Sequence, residues 1–185
     1  ETARYLAQHP WELYRIPPDY FEKIIAEIMA SHGFEVQLNV RLLGAGKGDE
    51  ADIIAVRQIS GMKKPIRYII ECKRYAKERK VDLKIATHLY GLKHRFAQEW
   101  GLDRVLLATT SNVTKDVMEE YGNRWDFEIK DHEKIIEWLE EYSESKGGVF
   151  LRKQGLYTRA NELVLTSLKI GDKHKDLHQQ LYVVK

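Results

Sequence analysis

The sequence predicts an α/β sandwich in which a mixed sheet of about five strands is flanked by helices. Three observations lead there. Helix-like and strand-like apolar periods follow one another along residues 17 to 142. The first three strand-like runs are separated only by loops, as in an antiparallel meander. The later strands alternate with helical stretches, so they should join by crossover connections and lie parallel.

Each element has its own justification. In "PPDYFEKIIAEIMASHGF", Pro17 and Pro18 keep the residues before them out of a helix, and Asp19 is placed to cap. Ile24, Ile25, Ile28 and Met29 then recur at helical spacing until Gly33. "FEVQLNVRLL" alternates apolar and polar, as a half-buried strand does. "GAGKGD" reads as a loop, "ADIIAV" as a second strand, "SGMKKP" as a turn and "IRYIIECKRY" as a third strand. Residues 81 to 100 fit one long helix, with Leu83, Ala86, Leu89, Tyr90, Phe96 and Trp100 among its apolar positions. The run of apolar residues in "RVLLATT" marks a strand covered on both faces. "NVTKDVMEEYG" begins a helix capped by Asn112 or Thr114. "DFEIK" follows as a fifth strand, and "DHEKIIEWLEEYSE" as an amphipathic helix capped by Asp131. These elements make one domain over 11–142. Residues 143–185 open on linker-like "SESKGG" and show no clean period, so they read as an accessory extension. Within it, His174 and His178 stand four apart with no further ligand nearby, which suits surface residues better than a zinc site.

Composition narrows the classes of function. The 185 residues are 43% hydrophobic and 31% charged, as in a globular domain, and the net charge is only +2. Any grip on nucleic acid must therefore come from local patches. No apolar run is long enough to span a membrane. The lone cysteine, Cys72, forms no internal disulfide, which points to a reducing, cytoplasmic setting. A chain opening on Glu1 without a signal-like segment is expected to belong to a longer protein with further domains.

The most informative stretch is "YIIECKRY", residues 68 to 75. Side chains alternate along a strand, so Glu71 and Lys73 share one face while Ile70 and Cys72 share the other. Charges in such an apolar strand are costly unless paired or metal-bound. The second strand supplies Asp52, and adjacent strands can set it beside Glu71. Two carboxylates that close repel unless a cation lies between them. Magnesium accepts one or two carboxylates and keeps positions open for water and phosphate. Lys73 would then orient the attacking water or face charge building on the phosphate. Two acids and a lysine in this arrangement form a minimal kit for metal-assisted phosphodiester hydrolysis. A basic run, Lys73, Arg74, Lys77, Arg79 and Lys80, leaves the same strand where a DNA backbone would lie. Tyr75 and Tyr90 are placed for sugar, base or core. "TTSN", residues 109 to 112, offers hydroxyls to a phosphate or caps the next helix.

These residues carry a resemblance. Asp52 followed by Glu71-Cys72-Lys73, after an opening helix, resembles the PD-(D/E)xK nuclease superfamily. More narrowly, "DYFEKIIAEIMASHGFEV", "GDEADIIAV", "ECKRY", "HLYGLK" and "LLATTSNVTKDV" resemble, in order, stretches of the Mrr-type restriction endonuclease domain. The likeness covers roughly residues 17 to 142 and implies a restriction-endonuclease-like fold. It implies a magnesium-dependent DNA endonuclease, with manganese able to substitute, that leaves 5′-phosphates and restricts foreign double-stranded DNA, modified or unmodified. A homodimer is implied as well, because cutting both strands needs two sites. It also implies that Asp52, Glu71 and the main-chain carbonyl of Cys72 hold the metal, with Lys73 assisting. Glu22 matches a helix glutamate that assists the site in this family, although Asp19-x-x-Glu22 also reads as a capping box. Two departures stand out: many relatives have a glycine-rich acidic loop where this chain has "GDEAD", and many have glutamine in place of Glu71. Asp49 and Glu50 are read as loop solvation rather than ligands, with recruitment of one by a second metal as the alternative. The rival readings are a branched-DNA resolvase or repair nuclease, a non-catalytic DNA-binding module of the same fold, and an interaction domain with only surface charges.

Overall fold

The structure is a computed structural model that describes residues 2–42 and 48–145. The predicted extension and its two histidines lie outside the described residues, apart from the last turn of the final helix. A five-stranded sheet has the order β1 (Glu35–Leu42), β2 (Asp49–Arg57), β3 (Ile66–Lys73), β4 (Arg104–Thr109) and β5 (Phe127–Lys130). The first three strands pair antiparallel and the last two add in parallel, as the spacing of the elements predicts.

Helices cover both faces. One face of the sheet, with Ile53, Tyr68, Ile70, Cys72 and Leu106, packs against α1 (Thr2–Gln8), α2 (Pro18–Ser31) and α6 (His132–Ser145). The other, with Ile54, Ile69, Val105 and Leu107, packs against α3 (Leu83–Arg95) and α5 (Lys115–Tyr121). The sheet is the middle of this three-layer arrangement, and the last five residues of β4 are all buried.

Several elements depart from expectation. The chain before Pro17 carries α1 and a 3-10 turn at Pro10–Tyr14, whose Ala3, Leu6 and Leu13 enter the core beside α6. Asp19 does not cap α2; Pro17 is the capping position and Asp19 lies within the first turn, where it pairs with Lys23 at 3.3 Å. The capping-box reading of Glu22 fails with it, since α2 has no side-chain cap bond. Asp49 and Glu50 belong to β2 rather than to a loop. The long helix breaks at Phe96 into α3 and the single turn α4 (Ala97–Trp100), which ends on Gly101 at φ +61°. Glycine fits that left-handed position because it has no Cβ. Asp131 behaves as read: its carboxylate accepts the Lys134 N–H at 3.3 Å.

Between β5 and α3, Asp126 holds a buried charge cluster. Its carboxylate accepts from Lys93 Nζ and from the Tyr90 hydroxyl, the latter at 3.0 Å, and Arg124 donates to that hydroxyl at 2.8 Å. Burial alone would raise this carboxyl, but the Lys93 and Tyr90 bonds hold it below the usual range. Tyr90 is thus committed to the fold rather than to a nucleic acid. At the β5 edge, Lys134 Nζ donates to the Ile129 carbonyl at 3.3 Å and the Phe127 N–H is taken by the Arg124 carbonyl at 3.4 Å.

Asp126→Ala would leave the Lys93 ammonium buried without its counter-charge. The expected loss is roughly 3–5 kcal/mol of unfolding free energy. Urea titration measures it, and Lys93→Met in the same chain should recover most of the loss.

Candidate active site

The site forms where β2 parts from β3. The ladder between them ends at the pair Ile53↔Ile70. One step further, Asp52 replaces main chain with side chain: its carboxylate accepts the Cys72 N–H at 2.7 Å. The ladder to β1 skips the same residue, running from Leu38↔Ile53 to Val40↔Ala51. The residue opposite is Asn39, at φ +52°, the only non-glycine with positive φ among the described residues. Asparagine tolerates that conformation better than most residues. Asp52 thus stands at a break in both neighbouring ladders.

Glu71 and Lys73 lie on the Asp52 face of the sheet, two residues apart, and Lys73 Nζ donates to Glu71 Oε1. This face also carries Ile54 and Ile69, so the three charged groups rim an apolar layer. The Lys73 carbonyl faces β4, where it accepts from Thr109 Oγ1 at 2.8 Å and the Thr110 N–H at 3.2 Å. Carbonyls alternate along a strand. The Cys72 carbonyl therefore turns toward β2, the side on which its N–H meets Asp52. The Cys72 thiol points into the opposite core, and burial, followed by the Asp52 charge, raises it well above its ordinary value.

The electrostatics bear the mark of crowded acids. Burial and then the Glu71 charge raise Asp52 to about 6, against the Cys72 N–H and Lys73, which pull it down. Glu22 comes from the first turns of α2 and is half-buried. Burial, then Asp52 and Asp19, raise it to about 7. Burial opposes the Lys73 charge, yet Glu71 and Asp52 outweigh it and raise its pKa. All four groups read as candidates in the sequence are thus brought within electrostatic reach of one another.

The other residues divide. Asp49 is tied to Arg95, and Glu50 is exposed. Lys77, Arg79 and Lys80 are exposed on the segment leaving β3. Arg74 is half-buried, and one of its terminal nitrogens donates to the Tyr14 carbonyl at 3.4 Å. The hydroxyls of "TTSN" are not offered to solvent, because Thr109, Thr110 and Ser111 are buried and bonded within the fold. Among the described residues no group of three His, Cys, Asp or Glu side chains is gathered to hold a metal. Two carboxylates and a main-chain carbonyl are, however, all hard oxygen donors. Magnesium is commonly bound by one or two carboxylates, with waters and substrate phosphate completing its shell. The residues present fit that ion better than a softer one.

A family model described as restriction endonuclease, Mrr catalytic type, matches residues 13–139. The chain belongs to the Mrr-type restriction endonuclease family. Family and fold together make this a nuclease domain that acts on DNA. Among solved structures, it is similar to a crystal structure of the protein of unknown function AF1548, with a TM-score of 0.58 and 20% identity, covering 91% of this chain and 96% of that one. It is also similar to the DNA modification-dependent restriction endonuclease AspBHI, with a TM-score of 0.55, 18% identity and 90% of this chain covered. A third is the MspJI restriction endonuclease in complex with a 27-mer oligonucleotide, with a TM-score of 0.53, 13% identity and 79% coverage. This Mrr-type chain spans only 40% and 33% of those two enzymes. No curated protein matches it.

Raised carboxyls give a signed pH effect. Asp52 ordinarily titrates near ~3.9. With a folded value of about 6, its contribution to stability is full below the ordinary value and is lost as pH climbs through the folded one. Asp52→Asn removes that loss while keeping an acceptor for the Cys72 N–H. In chelator, the variant should be more stable than wild type at pH 8 by about 1–2 kcal/mol and match it at pH 4. Unfolding at the two pH values measures this, and a wild-type advantage at pH 8 would contradict it.

Proposed function

We propose that this domain is a divalent-metal-dependent endonuclease of double-stranded DNA that uses magnesium, with manganese able to replace it. In this reading Asp52, Glu71 and the Cys72 carbonyl hold the ion. The observation that carries it is the Asp52 carboxylate on the Cys72 N–H, across the strand break from the Glu71–Lys73 pair. A cation held by these oxygens would supply positive charge against the phosphate and a water of lowered pKa. Lys73, kept protonated by its acidic neighbours, faces charge developing on the phosphate oxygens. Glu22, with a value of about 7, is suited to take or give a proton at its carboxyl oxygen near neutral pH.

The charge of the outer layers supports a direction of approach. α3 contains no carboxylate, exposes Lys84 and His88, and follows directly on Lys77, Arg79 and Lys80. α6, on the opposite face, exposes Glu133, Glu137, Glu140, Glu141 and Glu144. A polyanion is drawn to the first layer and repelled by the second. The α3 layer is the one that covers the sheet face on which Asp52, Glu71 and Lys73 lie. Cutting both strands takes two such sites, which a second copy would supply. Restriction of foreign DNA in a reducing cytoplasm fits the family and the unpaired, buried Cys72.

Cleavage of duplex DNA in magnesium, with and without chelator, is the direct experiment. Asp52→Ala and Lys73→Ala should each lower the rate by about a hundredfold or more while the fold persists. Full activity in either variant would refute the assignment. Thermal melting gives a second measurement. Magnesium near 100 times its dissociation constant should stabilise wild type by ~2.7 kcal/mol, and much less in Asp52→Ala. Identical responses would favour a non-catalytic DNA-binding module.

A further inference from the structure

The chain leaving β3 passes directly into the basic run, and one buried hydroxyl holds it. Thr110 is fully buried. Its Oγ1 accepts the Tyr75 N–H at 2.9 Å and donates to the Tyr75 carbonyl at 2.8 Å. A hydroxyl carries one donor and can accept, so this single group fills both main-chain positions of one residue. It does for Tyr75 what a strand partner would do, just past the last pair of the β3–β4 ladder, Lys73↔Thr109. The main chain of Thr110 is braced in turn: its carbonyl lies 2.8 Å from His132 Nδ1, and the His132 ring stacks on Tyr14 at 4.7 Å. Above the clamp, the Arg79 guanidinium lies 3.9 Å from the centre of the Tyr75 ring. Arg79 is exposed and has no ion pair among the described residues, so the ring is what places it.

We propose that Thr110 is a positioning residue for DNA binding: by clamping the Tyr75 main chain it fixes the ring on which Arg79 lies, and so aims Arg79 at the phosphate backbone. Thr110 itself never meets the DNA. The inference rests on the reading of Lys77, Arg79 and Lys80 as phosphate contacts.

The test is a double-mutant cycle on binding, with a 30-base-pair duplex in calcium, so that cleavage plays no part in the readout. Residues coupled through one shared element give non-additive effects, whereas independent ones multiply their losses. Arg79→Ala should weaken binding about three- to tenfold and flatten the dependence of affinity on salt by about one unit of log–log slope. Thr110→Val should weaken binding to a similar degree, Thr110→Ser should restore it, and Thr110→Val with Arg79→Ala should bind no worse than Arg79→Ala alone. Tyr75→Leu removes the ring and keeps the clamp. It should reproduce the loss with little change in melting temperature, which guards against a Thr110→Val chain that does not fold. Losses from Thr110→Val and Arg79→Ala that multiply, or wild-type binding by Tyr75→Leu, would overturn the proposal and leave the phosphate-contact reading standing. Wild-type affinity and salt slope in Arg79→Ala would overturn both.

Discussion

The whole cluster of charges where β2 parts from β3 depends on one residue of β2 being excused from the sheet. A strand residue in the middle of a ladder uses its main chain to bind its neighbours, and its side chain stands away from them. Asp52 has lost that pairing on both sides. Its carboxylate is consequently free to swing into the plane of the sheet and take the Cys72 N–H. The interaction satisfies a donor that the parting strands would orphan. It also carries a negative charge to the one place where Glu71 and Lys73 already stand. Without the break, Asp52 would be a polar residue on an apolar face. With it, three charged side chains and a main-chain carbonyl converge without any loop to carry them.

The convergence has an energetic signature. Both Asp52 and Glu22 are pushed toward neutral pH by burial and by other acids, and Lys73 alone does not cancel them. Such carboxyls do not earn their place through folding stability, and clusters of this kind are where function is to be sought. The Lys93–Asp126 cluster is the instructive contrast. It is just as buried, but Asp126 is depressed rather than raised, and every group in it has a partner. The two sites differ in whether the charge is settled.

Much of this was legible in the sequence, for physical reasons. Strand alternation placed Glu71 and Lys73 on one face, and the order of elements set the sheet and its crossovers. What escaped was anything decided by tertiary contact. α1 and the 3-10 turn are too short to announce themselves by periodicity and exist because Ala3, Leu6 and Leu13 fit against α6. The break at Phe96 lies inside a regular apolar pattern. Glu22 sits in an α-helix of another layer, so the residues alone left it between a cap and a site; the absence of a cap bond and the nearness of Asp52 favour the site. The threonines after β4 looked like phosphate donors because their hydroxyls are invisible as ladder substitutes until the Tyr75 main chain is seen beside them. Nothing in "VQLNVRLL" betrays the turn of Asn39, because asparagine at that place breaks no alternation.

The same turn of Asn39 bears on how copies of the protein can meet. An open sheet invites templated growth, since an unpaired edge will accept any extended strand. At β5 that route is obstructed by Lys134 and the Arg124 carbonyl, which already occupy the Ile129 carbonyl and the Phe127 N–H. At β1 the left-handed residue interrupts the straight run a visiting strand would need. Both rims of the sheet are thus poor zippers. Lateral polymerisation is disfavoured even though the core strands are rich in isoleucine and valine, and any contact between copies is left to the helical layers.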